Sequence, residues 1–239
     1  MATLIELISE LELEISPNVS DDSVLDRRLL AHWIHKQRAL WLRNELNKPY
    51  RTIDYGITQQ ILLDIEVADE EDDLVGIGEG FSLFKSTQNL PNLIELHNNA
   101  AIVRVTSVWD EESELPKSRY TLPLKVIDFT NIPYSGHGKF TSNKVFVYPL
   151  DTKLYLVQPD EDSYYDIITK VKLIGVFENP EDVTGFSESS RYPVSVAMWN
   201  YIKGTIIKED LRNFYIPIED KLNNATNDIT RTGSNEEKD

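Results

Sequence analysis

Four histidines and one dense run of carboxylates are the side chains with the greatest chemical reach in this sequence. His32 and His35 stand three apart, a spacing that puts two imidazoles on one side of a helix where they can share a metal. They lack the His-Glu-x-x-His arrangement that couples such ligands to a general base. At about 100° per residue they fall opposite the centre of an apolar stripe through Leu29, Trp33 and Leu40. Both are therefore expected to be exposed polar residues. His97 and His137 sit in turn-rich stretches with no acid or serine at a spacing that signals a triad.

The run DIEVADEEDD, residues 64–73, holds acids at 64, 66, 69, 70, 71, 72 and 73. Carboxylates at that density suit Ca²⁺ or Mg²⁺. A calcium loop, however, needs an Asp-x-Asp-x-Asp-Gly frame and a distant Glu, and no glycine lies inside the run. Asp69, Glu70, Glu71, Asp72 and Asp73 are read as a solvated, mutually repulsive loop. Gly76, Gly78 and Gly80 follow without the spacing of a phosphate-binding loop, and Glu79 among them would repel a phosphate. The chain has no cysteine, which excludes disulfides, thiolate metal sites and thiol nucleophiles. No catalytic residue, metal ligand or cofactor is assigned, and the chain is not read as an enzyme.

With 24 Lys and Arg against 40 Asp and Glu, the net charge is −16. Such a body repels nucleic acid unless one face is locally basic, so tight DNA binding through bulk charge is excluded. Hydrophobic residues at 41% and aromatics at 10% are ample for a folded core. No run approaches the length of a membrane span, and MATLIELISELELEI is acidic where a signal peptide is basic. Folding in a cytoplasm, with no membrane partner, is the expectation.

The elements that must position these residues begin with a helix through Leu4, Ile8, Leu11 and Ile15, closed by Ser16-Pro17. Asp21, Asp22 and Ser23 offer N-cap oxygens to a long second helix, Val24 to Asn47. Between 21 and 51, Arg27, Arg28, Lys36, Arg38, Arg43, Lys48 and Arg51 stand against Asp21, Asp22, Asp26 and Glu45, so this helix is basic within an acidic chain. Two readings stay open: a solvated face laced by i, i+4 pairs, or a face that docks on an acidic surface, including that of an identical neighbour. On the second reading Arg27, Arg38 and Arg43 are partner contacts.

From residue 61 short branched and aromatic runs alternate with turn residues. The runs are Ile61 to Ala68, Ile102 to Trp109, Tyr120 to Phe129, Lys144 to Tyr148, Lys153 to Val157 and Lys170 to Phe177. Turns are expected at 135–138, 149–151 and 159–162. A last helix runs from about Pro193 through Trp199, Ile202, Ile206 and Ile207 to about Leu211. The fold class expected is α+β: a helical bundle formed by both chain ends, 1–60 and 190–222, with an inserted antiparallel β domain, 61–189, as a barrel or a sandwich. Residues 223–239 lack apolar periodicity and are expected to be a flexible or partner-ordered tail.

The order of segments resembles a known family. SDDSVLDRRLLAHWIHKQRALWLRNELNK, then SLFKSTQNLPNLIEL and AIVRVTSV, then GKFTSNKVFVYP, ITKVKLIGVFENPEDVTGF and YPVSVAMWNYIKGTIIKEDL, are similar to head–tail adaptor (ring) proteins of crAss-like and related short-tailed phages. The resemblance covers nearly the whole chain and rests on diffuse apolar and turn patterns. It implies a virion structural protein at the head–tail junction: a dodecameric connector ring of identical subunits that docks below the portal, meets further tail or ring proteins and extends the DNA channel. On that reading Asp69 to Asp73 repel passing DNA, while Phe214, Tyr215 and Ile218 in NFYIPI, residues 213–218, anchor an arm on the partner. Readings from other classes are a carboxylate- or metal-dependent tail-associated hydrolase using the acidic run, and a monomeric module that binds a host protein.

Overall fold

The computed structural model describes residues 2–15, 25–49, 53–69, 81–96, 101–108, 123–128, 131, 145–159 and 168–212. Helix α1 is Leu4–Ile15, and its stripe Leu4, Leu7, Ile8, Leu11 and Ile15 is buried. A reciprocal cap starts it: the Thr3 N–H donates to Glu6 Oε2 at 2.8 Å and the Glu6 N–H to Thr3 Oγ1 at 3.3 Å. Helix α2 is Arg27–Leu46, capped by Asp26, which accepts from the Arg28 N–H at 2.9 Å. The expected cap residues 21–23 lie outside the described residues. Helix α3 is Val196–Thr205, capped by Ser195 and extended by one π-turn, Ile206–Asp210. Leu11 of α1, Leu30 and Ile34 of α2 and Trp199, Ile202 and Ile206 of the last helical segment share one apolar cluster with Ile57, Ile94, Val176 and Tyr192 from outside these helices.

The buried stripe of α2 is Leu30, Trp33, Ile34, Gln37, Arg38 and Leu42. This corrects the expected centre, because Leu40 stands 46% exposed. The apolar residues alone misplace it: part of what α2 packs against is a set of backbone carbonyls, which Arg38 satisfies and a leucine would not. The same rotation brings His35 to the half-buried edge and leaves His32 exposed, so the expectation of two exposed histidines holds only for His32.

The β region is a closed seven-stranded barrel: β1 Gln59–Val67, β2 Phe81–Ser86, β3 Ile102–Val108, β4 Pro123–Val126, β5 Phe146–Leu150, β6 Lys153–Pro159 and β7 Lys170–Gly175. Around the barrel they run β1-β2-β6-β5-β4-β3-β7. This resolves barrel against sandwich and corrects the all-antiparallel expectation, since β4 and β5 pair in parallel. Strand directions can alternate all the way round a closed barrel only for an even number, so seven strands require a parallel neighbour. Its connection, 127–145, has the length that a parallel crossover needs.

Ile61, Leu63, Val105, Val147, Leu156, Val171 and Leu173 belong to the barrel core. On β5 and β6 the opposite face is buried as well, through Phe146, Tyr148, Tyr155 and Val157, with Tyr148 and Tyr155 stacked at 5.3 Å. That double burial is why this stretch does not alternate in sequence. Pro149 and Leu150 pair with Leu154 and Lys153, so the turn expected at 149–151 moves to Asp151 and Thr152. Asp151 takes φ 52°, a left-handed conformation that aspartate tolerates in turns. The turn at 135–138, the glycines 76–80, His97 and His137 lie outside the described residues.

Candidate assembly surfaces

Arg38 is the largest fully buried side chain among the described residues, and its guanidinium meets backbone oxygens. Its Nε donates to Pro193 O at 3.0 Å, Nη1 to Phe177 O at 2.8 Å and Nη2 to Ile57 O at 3.4 Å. Ile57 stands just before β1, Phe177 just after β7 and Pro193 just before α3. One guanidinium thus fastens α2 to both ends of the barrel and to the start of the last helix. Five N–H donors in a fixed fork suit this task as no other side chain does. Burial lowers its pKa, yet an arginine stays charged under these conditions. The sequence expectation of a partner contact at Arg38 is corrected: the residue is interior to its own chain.

His35 and Tyr192 line the same junction, with His35 Nδ1 and Tyr192 Oη joined by a 2.8 Å hydrogen bond. His35 Nε2 is buried without a hydrogen-bond partner, and Glu181 Oε2 lies 3.6 Å away. Burial first, then the positive charges of Arg38 and His32, push the His35 pKa down to about 4. The imidazole is neutral at neutral pH. Burial pushes the Tyr192 phenol up, and its ring lies 5.9 Å from the guanidinium carbon of Arg38. His35 and Glu181 open onto a cleft of about 640 Å³ that Ile5, Arg27, Arg28 and His32 also line. The hydrogen-bond partner of His35 is a phenol that burial keeps protonated, and the pair ties α2 to the segment just before α3.

The remaining cations of α2 divide in two ways. Arg27 binds Glu12 at 2.8 Å and Lys36 binds Asp210 at 2.9 Å within the chain, and just past the helix's end Lys48 binds Glu45. Arg43 is 60% exposed, with Glu95 as a distant partner at 3.9 Å. Acids of α1 are engaged likewise. Glu10 accepts from Trp199 Nε1 at 2.9 Å and Lys203 at 3.0 Å, and Glu14 from Lys203 at 2.7 Å. Burial opposes the ionisation of Glu10, but the hydrogen bonds from Lys203 and Trp199 outweigh it and lower the pKa.

Of the acidic run, Asp69 is described and meets Lys85 at 3.1 Å. Glu70, Glu71, Asp72 and Asp73 lie outside the described residues, as do Phe214, Tyr215, Ile218 and the tail 223–239. Among the described residues no cluster of three or more His, Asp or Glu side chains is placed to hold a metal, and no helix is long and apolar enough to cross a membrane.

One surface escaped the sequence reading. On the outer wall of β1, β7 and β3, Gln60, Ile174 and Arg104 form one row, Leu62, Lys172 and Thr106 the next, and Asp64, Lys170 and Val108 a third. The signal was the alternation KVKLIG, which points Lys170 and Lys172 outward wherever Val171 and Leu173 point inward.

Comparison with curated proteins gives no match. Against protein families, residues 6–229 match the one described as phage tail ring protein 2, of crAss-like phages. That match spans nearly all of the chain, including the α1–α2–barrel–α3 order and the Arg38 junction that holds it together. The chain belongs to the phage tail ring protein 2 family and is a structural ring component of the virion.

Proposed function

We propose that this chain forms the head–tail connector ring that docks below the portal and extends the DNA channel to the tail. The observation that carries the reading is the family match over residues 6–229. The net charge of −16 supports it, because a channel that passes DNA must not retain it. Residues 1–60 and 190–222 act as one helical unit into which 61–189 is inserted. This division draws support from the adjacency of β1 and β7 and from the Arg38 clasp across both barrel ends. Asp69 to Asp73 face the lumen as a repulsive rim. Phe214, Tyr215 and Ile218 anchor an arm, continued by 223–239, on the portal or the next ring. Subunits fold in the host cytoplasm before joining the particle.

Cryo-electron microscopy of the intact virion tests this directly. The expected result is a ring of this chain coaxial with the portal. Its placement on a fibre, or inside the capsid, overturns the connector role. Truncation after Leu211 is expected to leave a folded protein that no longer docks, and normal docking by that variant removes the arm.

A further inference from the structure

The outer wall of β1, β7 and β3 differs from the far side of the barrel. On β5 and β6 the outward residues Phe146, Tyr148, Tyr155 and Val157 are buried, whereas here Leu62 stands 61% exposed and Arg104 is exposed, with Lys170, Lys172 and Ile174 half-buried and Thr106 buried. Arg104, Lys170 and Lys172 alternate with Leu62, Ile174 and Val108, an arrangement of cations around apolar contacts. The single carboxylate of these rows, Asp64, already accepts from the side chain of Gln88. In a chain of charge −16 this is a local positive surface with an apolar centre.

A complementary region exists on the same molecule. Between the barrel and α3, Glu178, Glu181, Asp182 and Glu188 are all exposed. The Glu181 carboxyl is pushed up by burial and by the negative charges of Glu188 and Asp182, so these acids repel one another even with Arg27 close enough to feel Glu188, and a further cation would relieve them.

We infer that these regions meet between neighbouring copies: the wall carrying Arg104, Lys172 and Leu62 on one subunit receives the acidic stretch 178–188 of the next. The contact is heterologous, two different patches joined head to tail, which is the type that closes a ring. Matching of opposite charges selects a second copy as the occupant and fixes its register. DNA also seeks cations, but the field of the whole chain opposes it. The inference rests on the ring reading and specifies which surfaces form the ring.

The test uses assembled particles. Carbodiimide coupling is expected to join Lys172 to Glu181 or Glu188 of a different copy. The double variant Arg104→Glu/Lys172→Glu is expected to enter particles about tenfold less or worse. Adding Glu181→Lys and Glu188→Lys to it restores incorporation. Circular dichroism and melting of each purified variant report that the fold is kept. Undiminished incorporation of the double variant overturns the contact, as does a loss that complementary reversal fails to recover in folded protein. A double variant that assembles normally and only releases DNA shows that the wall serves nucleic acid and overturns it too. If the wild-type chain occupies no ring, the ring reading fails and this contact with it; a ring that tolerates the double variant sinks the contact alone.

Discussion

The cations of α2 and those of the β1–β7–β3 wall lead opposite lives. On α2, Arg38 is locked onto carbonyls and Arg27 and Lys36 pair with acids of their own chain, while Arg43 has Glu95 at 3.9 Å. On the wall, Lys172 has Leu62 and Thr106 as its cross-strand neighbours, and Arg104 has Ile174. Helices present side chains to other helices at close range, so their charges find acids on α1 and on the π-turn. On the outer face of a barrel, a strand that alternates Lys with Val points its charge away from the core wherever no other element covers it. A basic stretch in sequence is therefore a poor guide to where positive charge is available for a partner.

The comparison breaks first at Arg38. Arg38→Ala removes the donors to Phe177 and Pro193 and leaves buried carbonyls unsatisfied, a loss of about 3–5 kcal/mol in unfolding free energy. Arg38→Lys is expected to recover little, because an ammonium cannot span three diverging carbonyls. Urea unfolding of the two variants checks both statements. If Arg38→Ala is as stable as the parent, α2's cations are not structural and the contrast with the wall fails.

His35 sharpens it through pH. The groups facing the imidazole are Arg38, Tyr192, His32 and Glu181. Of these Glu181 favours protonation at 3.6 Å, but burial prevails and holds the folded pKa at about 4, against about 6.5 for a free imidazole. Between those values the unfolded chain binds a proton that the folded chain refuses. This contribution is thus fully present above about pH 6.5 and is lost as pH falls toward 4, roughly 3 kcal/mol over the window. Unfolding curves at pH 7 and pH 4.5 measure it, and His35→Gln is expected to flatten that part of the pH dependence. An unchanged slope in the variant would show the proton is taken up elsewhere.

Gly175 tests the other end of the same junction. A Cβ there would lie 3.0 Å from Ala101 O and 3.2 Å from Leu93 Cδ2, between strands paired to it on both sides. Gly175→Ala is expected to cost about 1–3 kcal/mol, because the nearest atom is backbone and cannot swing away. A thermal melt distinguishes this from a neutral change. Neutrality would mean that β3 can separate from β7 near Ala101 more freely than the barrel's closure implies.

Much of this architecture was legible because it repeats with a period. The α1 stripe, the strands at 102–108, 153–159 and 170–175, and the Trp199–Ile202–Ile206 face all announce themselves by spacing. Arg38 was not legible, since its partners are carbonyls from positions 57, 177 and 193, and a carbonyl carries no side-chain identity for a pattern to report. His35 was misjudged for the same reason: it shares the edge of a stripe whose centre is set by Arg38. The parallel β4–β5 pair follows from strand number, which only the closed topology reveals.

The smallest expected effect on stability belongs to the wall, and it is the most telling. Lys172, half-buried, sits between exposed Leu62 and buried Thr106 on the face turned away from the barrel core, with no acid opposite it in the ladder. Lys172→Glu removes no cross-strand ion pair, so the isolated chain should change by no more than about 0.5 kcal/mol. Assembly should nonetheless suffer, because reversal sets like charges against the acidic stretch of a neighbour. Arg38→Ala is expected to do its damage in the monomer, Lys172→Glu only between copies. Measuring unfolding and particle incorporation on both variants separates the two kinds of basic residue. Equal loss of monomer stability in the two would erase the distinction between a cation that holds the fold and one that is left for a partner.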